Sequence, residues 1–434
     1  MTSFESWGRY PKAEQSLKPL FWLRDFPSSS DPTLSQLPAG MGRSYGDVCL
    51  NDANSLLLTR GLDRLVAFDL QTGILCCEAG ATLAEILDFG LPRGWFLPVS
   101  PGTKFVTVGG AIANDIHGKN HHMAGTFGRH LLRFNLARSD GAHMECSPTQ
   151  NADWYSATVG GLGLTGLIEW AEIQLKPVVS RKIAYQAIQF HGLEEFIALS
   201  EANSGCEYTV AWIDSVANSG RGVRGIFMCG DHDHTPEQRK PISKAKLTIP
   251  FDLPSFMLSS VTVGLFNTFY FNKQLKKRVA AVIDYEPFFY PLDSVLHWNR
   301  MYGKAGLLQF QCVIPYAGGL TAMREILDVI NKSGLASFLA VLKIFGNLPS
   351  PGMMSFPMPG ITLALDFPIK SDRSFSLLDR LGEMTLAAGG RIYPAKDARM
   401  TPEQFRSFYP SYSNFARYVD PRFSSSFWRR VNAE

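Results

Sequence analysis

The sequence predicts an α+β protein of two domains, and three observations carry that reading. At 434 residues the chain is longer than a single core usually grows to fill. Between residues 54 and 180 short β-type runs follow one another with few helices, and beyond Pro177 longer strands alternate with helices. The first part lacks the regular strand–helix alternation of a doubly wound sheet.

In the first part, strands are expected at 55–59, 65–69, 74–78, 134–138 and 168–175, each an apolar run bounded by turn formers. A helix is expected over 81–90, with Thr82 as its N-cap and Gly90 as its stop. The periodicity changes near residue 178, which sets the expected domain boundary. Strands at 182–190 and 307–315 and a helix over 321–332 follow. The stretch 249–271 is apolar and aromatic, but Pro254 and several polar residues interrupt it. It is therefore expected to be a packed helix, or a segment that dips into a membrane interface, rather than a membrane span.

Composition narrows the function. With 45% hydrophobic and 19% charged residues the chain reads as an ordinary soluble protein, and a net charge of +3 gives nucleic acid no basic footprint. The seven cysteines are scattered, odd in number and form no Cys-x-x-Cys pair, so reduced thiols are expected. No basic segment followed by an apolar one opens the sequence, and the expected location is the cytoplasm or the periphery of the inner membrane.

Two glycine-rich pieces carry the chemistry. In Pro101 to His122 small residues alternate with polar ones, and Gly102, Gly109, Gly110 and Gly118 allow main-chain N–H groups to approach a pyrophosphate without a Cβ in the way. Gly40 to Asp47 repeats the pattern upstream, and together they suggest a flavin site. Gly161-Leu-Gly-Leu-Thr-Gly166 fits a dinucleotide fingerprint, but a helical segment precedes it and a strand follows, the reverse of a Rossmann loop. Asp231-His-Asp-His234 alternates carboxylate and imidazole beside loop formers, so a polar surface turn is expected there and no metal.

Five segments, at 42–47, 106–113, 115–122, 158–166 and 389–397, resemble the FAD-linked oxidases of the vanillyl-alcohol oxidase type, whose cofactor domain is of the PCMH type. Within that family the combination of Asp-Ile-His-Gly-Lys-Asn-His-His, Leu365-Asp-Phe-Pro-Ile-Lys370 and the Tyr393/Lys396 pair resembles the branch that oxidises polyprenylphosphoryl ribose in cell-wall arabinan biosynthesis. The likeness runs nearly end to end. It implies a PCMH-type FAD-binding domain over 1–178, completed by 391–434, and an α+β substrate-binding domain over 179–390.

The resemblance implies FAD contacts from Gly42, Arg43, Ser44, Tyr45, Gly46 and Asp47 in the first piece. It implies further contacts from Pro101, Gly102, Thr103, Thr107, Gly109, Gly110, Ala113, Asn114, Ile116, His117, Gly118, Asn120 and His121 in the second, with Gly166, Ile168 and Tyr393. Relatives with covalent flavin commonly have histidine where this chain has Tyr45, so dissociable FAD is expected, with His117 lining the pocket. Substrate contacts are implied for His117, Lys119, Tyr302, Gln309, Gln311, Lys343, Thr362 and Lys396. Gln309 and Gln311 are two apart on an expected strand and so share a face, as a sugar-binding wall requires and as a solvent-facing strand would also show.

Lys396 is the expected catalytic residue, since a partly desolvated lysine can take a hydroxyl proton as hydride leaves the neighbouring carbon. Tyr393 shares the site. Where the mycobacterial members have asparagine and cysteine, this chain has Thr362 and Ala364, which alters the pocket wall but not the redox chemistry. The implied reaction takes the 2′-hydroxyl of a polyprenylphosphoryl-β-D-ribose to the ketone, with an NAD(P)H-dependent keto-reductase completing an epimerisation to arabinose. The rival readings are an oxygen-using aldonolactone or alditol oxidase and a flavin-binding protein without turnover.

Overall fold

Ser55–Leu58 buries all four of its residues because it lies between two other short strands, Ser16–Pro19 and Gln36–Ala39, and pairs in parallel with both. The computed structural model describes residues 4–26, 33–216, 223–236, 247–254, 258–335 and 337–433. A second, antiparallel sheet of five strands runs in the order Leu65–Phe68, Ile74–Glu78, Leu167–Gln174, Leu131–Ala137, His143–Cys146. The helix Leu83–Gly90 packs on it, capped by Thr82, which accepts from Glu85 N at 3.2 Å while Glu85 Oε2 accepts from Thr82 N at 2.7 Å.

The α-helix ends at Gly90, as expected, but not through a left-handed cap. The backbone of Gly90 is right-handed, and the chain continues as a 3₁₀ turn, Leu91–Arg93, that ends at Gly94 with φ 84°. A Cβ on Gly90 would lie 3.1 Å from Trp95 O, so close packing rather than a left-handed turn accounts for glycine there. The helix Ala152–Thr158 precedes the Gly161–Gly166 loop and Leu167–Gln174 follows it, the order read from the sequence.

Beyond residue 178 the chain builds a third sheet of eight antiparallel strands. Its order is Arg278–Asp284, Lys182–His191, Arg224–His232, Tyr208–Ile213, Ala340–Phe345, Gly360–Pro368, Leu307–Ile314, Arg391–Ile392. The two-residue alternation of a strand divides its side chains between two faces. Leu308, Phe310, Cys312, Leu342, Leu363, Leu365 and Phe367 enter a core with Met323, Ile326 and Ile330 of the helix Gly319–Ser333 and with Leu377, Leu378 and Leu381 of the helix Ser371–Ala387. Gln309, Gln311, Lys343 and Ala364 alternate with those residues and line a cavity on the other face.

After Arg391–Ile392 the chain returns to the first layer. Phe423 bridges Gln36, and Ser424 N donates to Gln36 O at 3.0 Å. The apolar stretch contains the helix Ser260–Asn272, which buries Val263, Asn267 and Phe271 and leaves Val261, Leu265 and Phe269 about 70% exposed. Residues 255–257 of that stretch lie outside the described residues. Among the described residues no helix is long and apolar enough to cross a membrane. The 231–234 segment is not the surface turn expected: Asp231 and His232 end the strand Arg224–His232. His232 is buried against Phe96, with ring centroids 4.8 Å apart, because pairing with Ile183 continues the sheet through this point.

Candidate active site

The loop Gly40 to Asp47 has two positions that need glycine for different reasons. Gly42 turns the chain with φ 60°, and a Cβ on Gly46 would lie 1.7 Å from Asp397 O. That close approach brings two distant segments together. Tyr45 N donates to Ala395 O at 2.9 Å, which sets the loop against the 3₁₀ turn Pro394–Lys396. Arg430, on the C-terminal helix Ser426–Val431, clamps the same junction. Its guanidinium meets Asp47 at 2.8 and 2.7 Å and Asp397 at 2.9 Å, and donates to Met400 O at 2.6 Å.

The second piece contains the short helix Val108–Ala113, whose N-cap Thr107 accepts from Gly110 N at 3.2 Å. Gly109 packs on Ala79, and nothing lies within 4 Å of a Cβ built on Gly102. These pieces, the face of the large sheet and the turn 393–396 line a cavity of about 360 Å³.

At the sheet side His117 joins three elements. Its Nε2 lies 2.9 Å from Gln311 Nε2 and its Nδ1 lies 3.1 Å from Lys343 Nζ, so both ring nitrogens are engaged. Burial, reinforced by the charge of Lys343, holds this histidine neutral well below its ordinary titration range. Tyr393 stacks on Phe356 with centroids 4.7 Å apart and donates to Asn114 O at 2.8 Å. Lys396 Nζ sits 3.9 Å from the centroid of the Tyr45 ring.

Three lysines reach the cavity and, among the described residues, none is ion-paired with a carboxylate: Lys119, Lys343 and Lys396. Burial lowers Lys119 to about 8, and burial with the charges of Lys119 and Lys396 lowers Lys343 to about 7. Burial also lowers Lys396, against the opposing influence of Asp366. Asp366 is itself raised by burial, partly offset by the hydrogen bond from Gln309 Nε2 and by Lys396. The cluster is therefore poised nearer neutrality than its residue types would be in water.

Most of the residues implicated from the sequence meet at this cavity. Gly42 to Tyr45, Pro101 to Thr103, Thr107, Gly109, Gly110, Ala113, Asn114 and Ile116 to Lys119 line it, as do Gly166, Ile168, Gln309, Gln311, Lys343, Tyr393 and Lys396. Six stand behind the wall. Gly46 and Asp47 hold the loop junction. Asn120 donates to Pro98 O at 2.8 Å, and the His121 ring packs on Phe345 at 4.3 Å. Thr362 accepts from Gln311 Nε2 at 3.3 Å and donates to Cys312 O at 2.8 Å, while Tyr302 is buried against Phe338 and Trp298.

Sequence reasoning passed over the wall formed by Pro291 to Asp293 and Val295 to Trp298, which no glycine cluster or charge run marks. It also passed over Asp366, although a lone acid inside the apolar run 361–367 is a usable signal.

The residues present fit a flavin. The glycine cradle is open at Gly102, Asn114 Oδ1 is buried without a partner among the described residues and can accept from a ring N–H, and cations line the cavity for an anionic cofactor. Fold and site together define an FAD-linked oxidoreductase with a vanillyl-alcohol oxidase-like, two-domain α+β architecture. The FAD binding domain family matches residues 31–147. The chain is 36% identical over 411 residues to decaprenylphosphoryl-β-D-ribose oxidase of Mycolicibacterium smegmatis, covering 90% of this chain and 88% of that protein. It therefore belongs to the decaprenylphosphoryl-β-D-ribose oxidase family. An uncharacterized protein of Streptomyces coelicolor is 32% identical over 81% of this chain and 99% of its own. L-gulonolactone oxidase of Mus musculus is 28% identical over 36% of this chain and 32% of its own.

Proposed function

We propose that the protein oxidises the 2′-hydroxyl of a polyprenylphosphoryl-β-D-ribose to the ketone, and that a separate NAD(P)H-dependent keto-reductase completes the epimerisation to arabinose. The observation that carries this reading is the meeting, in one cavity, of the glycine cradle, the Gln309/Gln311 amides and an amine, Lys396, free of any carboxylate ion pair among the described residues. Residues 1–178 with 391–434 would form the cofactor side, and 179–390 the substrate side.

FAD, when bound, supplies the hydride acceptor. The chain's own residues do the rest. Gln309 and Gln311 present amides to the sugar hydroxyls from one strand face. Lys396, kept partly neutral by burial, takes the hydroxyl proton at Nζ while the carbon–hydrogen bond breaks, leaving the carbonyl. Asp366 then stabilises the ammonium that forms. Tyr393, fixed by Phe356 and Asn114, holds the turn that aims the lysine.

Both nitrogens of His117 are occupied and Tyr45 cannot form a histidyl link, so the flavin should be dissociable. Acid precipitation should release the yellow colour into the supernatant; colour retained in the pellet would mean a covalent bond.

The exposed face at Val261, Leu265 and Phe269 suits contact with the membrane that carries such a substrate. The test is anaerobic bleaching of the flavin. A short-chain prenylphosphoryl ribose should reduce it, whereas ribitol and gulonolactone should not. Bleaching by those soluble sugars with peroxide formed in air would favour an aldonolactone or alditol oxidase, and no bleaching by any of them a binding protein. In the same assay Leu265→Ser with Phe269→Ser should slow long-chain turnover in vesicles far more than short-chain turnover; equal losses would make the face a packing surface.

A further inference from the structure

With Lys396 assigned to proton removal and Arg43 to the cofactor side, Lys119 and Lys343 are left in the cavity without a stated task. The lining carries Arg43, Lys119, Lys343 and Lys396 but, among the described residues, one acid, Asp293. Asp293 is engaged elsewhere, accepting from Lys104 N at 2.9 Å. Lys119 and Lys343 come from different segments, one from the cradle piece and one from the large sheet, and both line the cavity. Lys119 is steadied by Phe289 O at 3.3 Å and lies 5.7 and 5.9 Å from the Phe288 and Phe289 ring centroids. Lys343 is steadied by His117 Nδ1, and His117 in turn meets Gln311. Holding unpaired ammonium groups together away from water is costly unless an anion arrives to compensate them.

We propose that Lys119 and Lys343 form a clamp for the phosphodiester of the substrate, placing it beside the Gln309/Gln311 wall and next to the carbon that is oxidised. The proposal rests on the sugar-oxidation reading above and adds what selects the substrate: a phosphoryl group on the carbon adjoining the reacting one. Lysine suits this task as a compact point charge. The charges of Lys119 and Lys396 both act to lower Lys343, in keeping with amines that face one cavity. The cofactor's pyrophosphate is assigned to main-chain N–H groups of the glycine pieces rather than to these two amines, so the two anionic ligands need not compete.

The experiment uses the FAD-loaded protein and three probes: a short-chain prenylphosphoryl ribose, methyl β-D-ribofuranoside and methyl phosphate. In the wild type, methyl phosphate should compete with the phosphorylated sugar and perturb the flavin spectrum saturably. Lys119→Met and Lys343→Met should each raise the half-saturating concentration of the phosphorylated sugar about 10-fold or more, well beyond any fall in limiting reduction rate, and abolish the methyl phosphate effect. Both variants should still load FAD, and reaction with the unphosphorylated riboside should not weaken in the same proportion.

Loss of limiting rate with unchanged half-saturation, or a displaced flavin spectrum without substrate, would overturn the clamp and assign the lysines to the cofactor. Absence of methyl phosphate competition in the wild type would overturn it without any variant. If prenylphosphoryl ribose fails to reduce the flavin but methyl phosphate still binds in a lysine-dependent way, the clamp stands and the proposed substrate falls.

Discussion

Lys396→Met should keep its FAD and lose about 10²- to 10⁴-fold in the rate at which substrate reduces the flavin, the range associated with a positioned general base. Methionine keeps much of the side-chain length, so packing against Tyr45 is largely retained while the amine goes. The sign of the pH dependence follows from burial. Because burial lowers Lys396, the neutral amine is present at lower pH than an ordinary lysine would allow, and the reduction rate should rise with pH through that value. Asp366 opposes this lowering, so Asp366→Asn should move the rising limb to still lower pH. Stopped-flow reduction at a series of pH values measures both effects. A Lys396→Met protein reduced at near the wild-type rate would remove this residue from the chemistry.

Arg430→Met should destabilise the protein by about 3 kcal/mol, near the lower end of what stripping the partner from buried carboxylates costs, because the arginine side chain is itself 27% exposed. Asp47 and Asp397, each with a side chain 5% exposed, would be left without their common cation. Since those two residues flank the junction of the Tyr45 loop and the Lys396 turn, FAD affinity should fall together with the denaturation midpoint. Arg430→Lys should recover only part, since one ammonium cannot serve two carboxylates with the geometry of the guanidinium fork. An unchanged urea midpoint would show that the clamp contributes nothing.

The cradle could be read from the sequence because glycines placed where backbone must approach backbone or ligand leave a chemical trace. Gly46 against Asp397 and Gly42 in its left-handed turn are such places. The Gln309/Gln311 face was only half legible, because a two-residue period fixes that both side chains share a surface but not whether solvent or a cavity lies beyond it. What the sequence concealed depends on contacts distant along the chain. Tyr302 and Thr362 have the chemistry of binding residues, but Tyr302 is buried in a cluster with Tyr45, Trp298 and Leu307, and Thr362 is engaged by the Gln311 amide and Cys312 O. Asp366 acquires its role only through register, opposite Gln309 on the neighbouring strand. Gly90 does mark the end of its helix, but composition does not distinguish a glycine chosen for a positive φ from one chosen for the nearness of Trp95 O.

The junction of residues 43–47 with 395–397, clamped by Arg430, has a consequence for the order of events during synthesis. The loop and the turn are some 350 residues apart, so a long chain must be made before they meet. On the ribosome the parallel strands, the five-stranded sheet and the glycine pieces emerge early, but the turn and the helix that close this side of the cavity come last. A complete flavin site should therefore form only after that turn and that helix have been made, and chains interrupted before the helix Ser426–Val431 should hold FAD more weakly than the full chain.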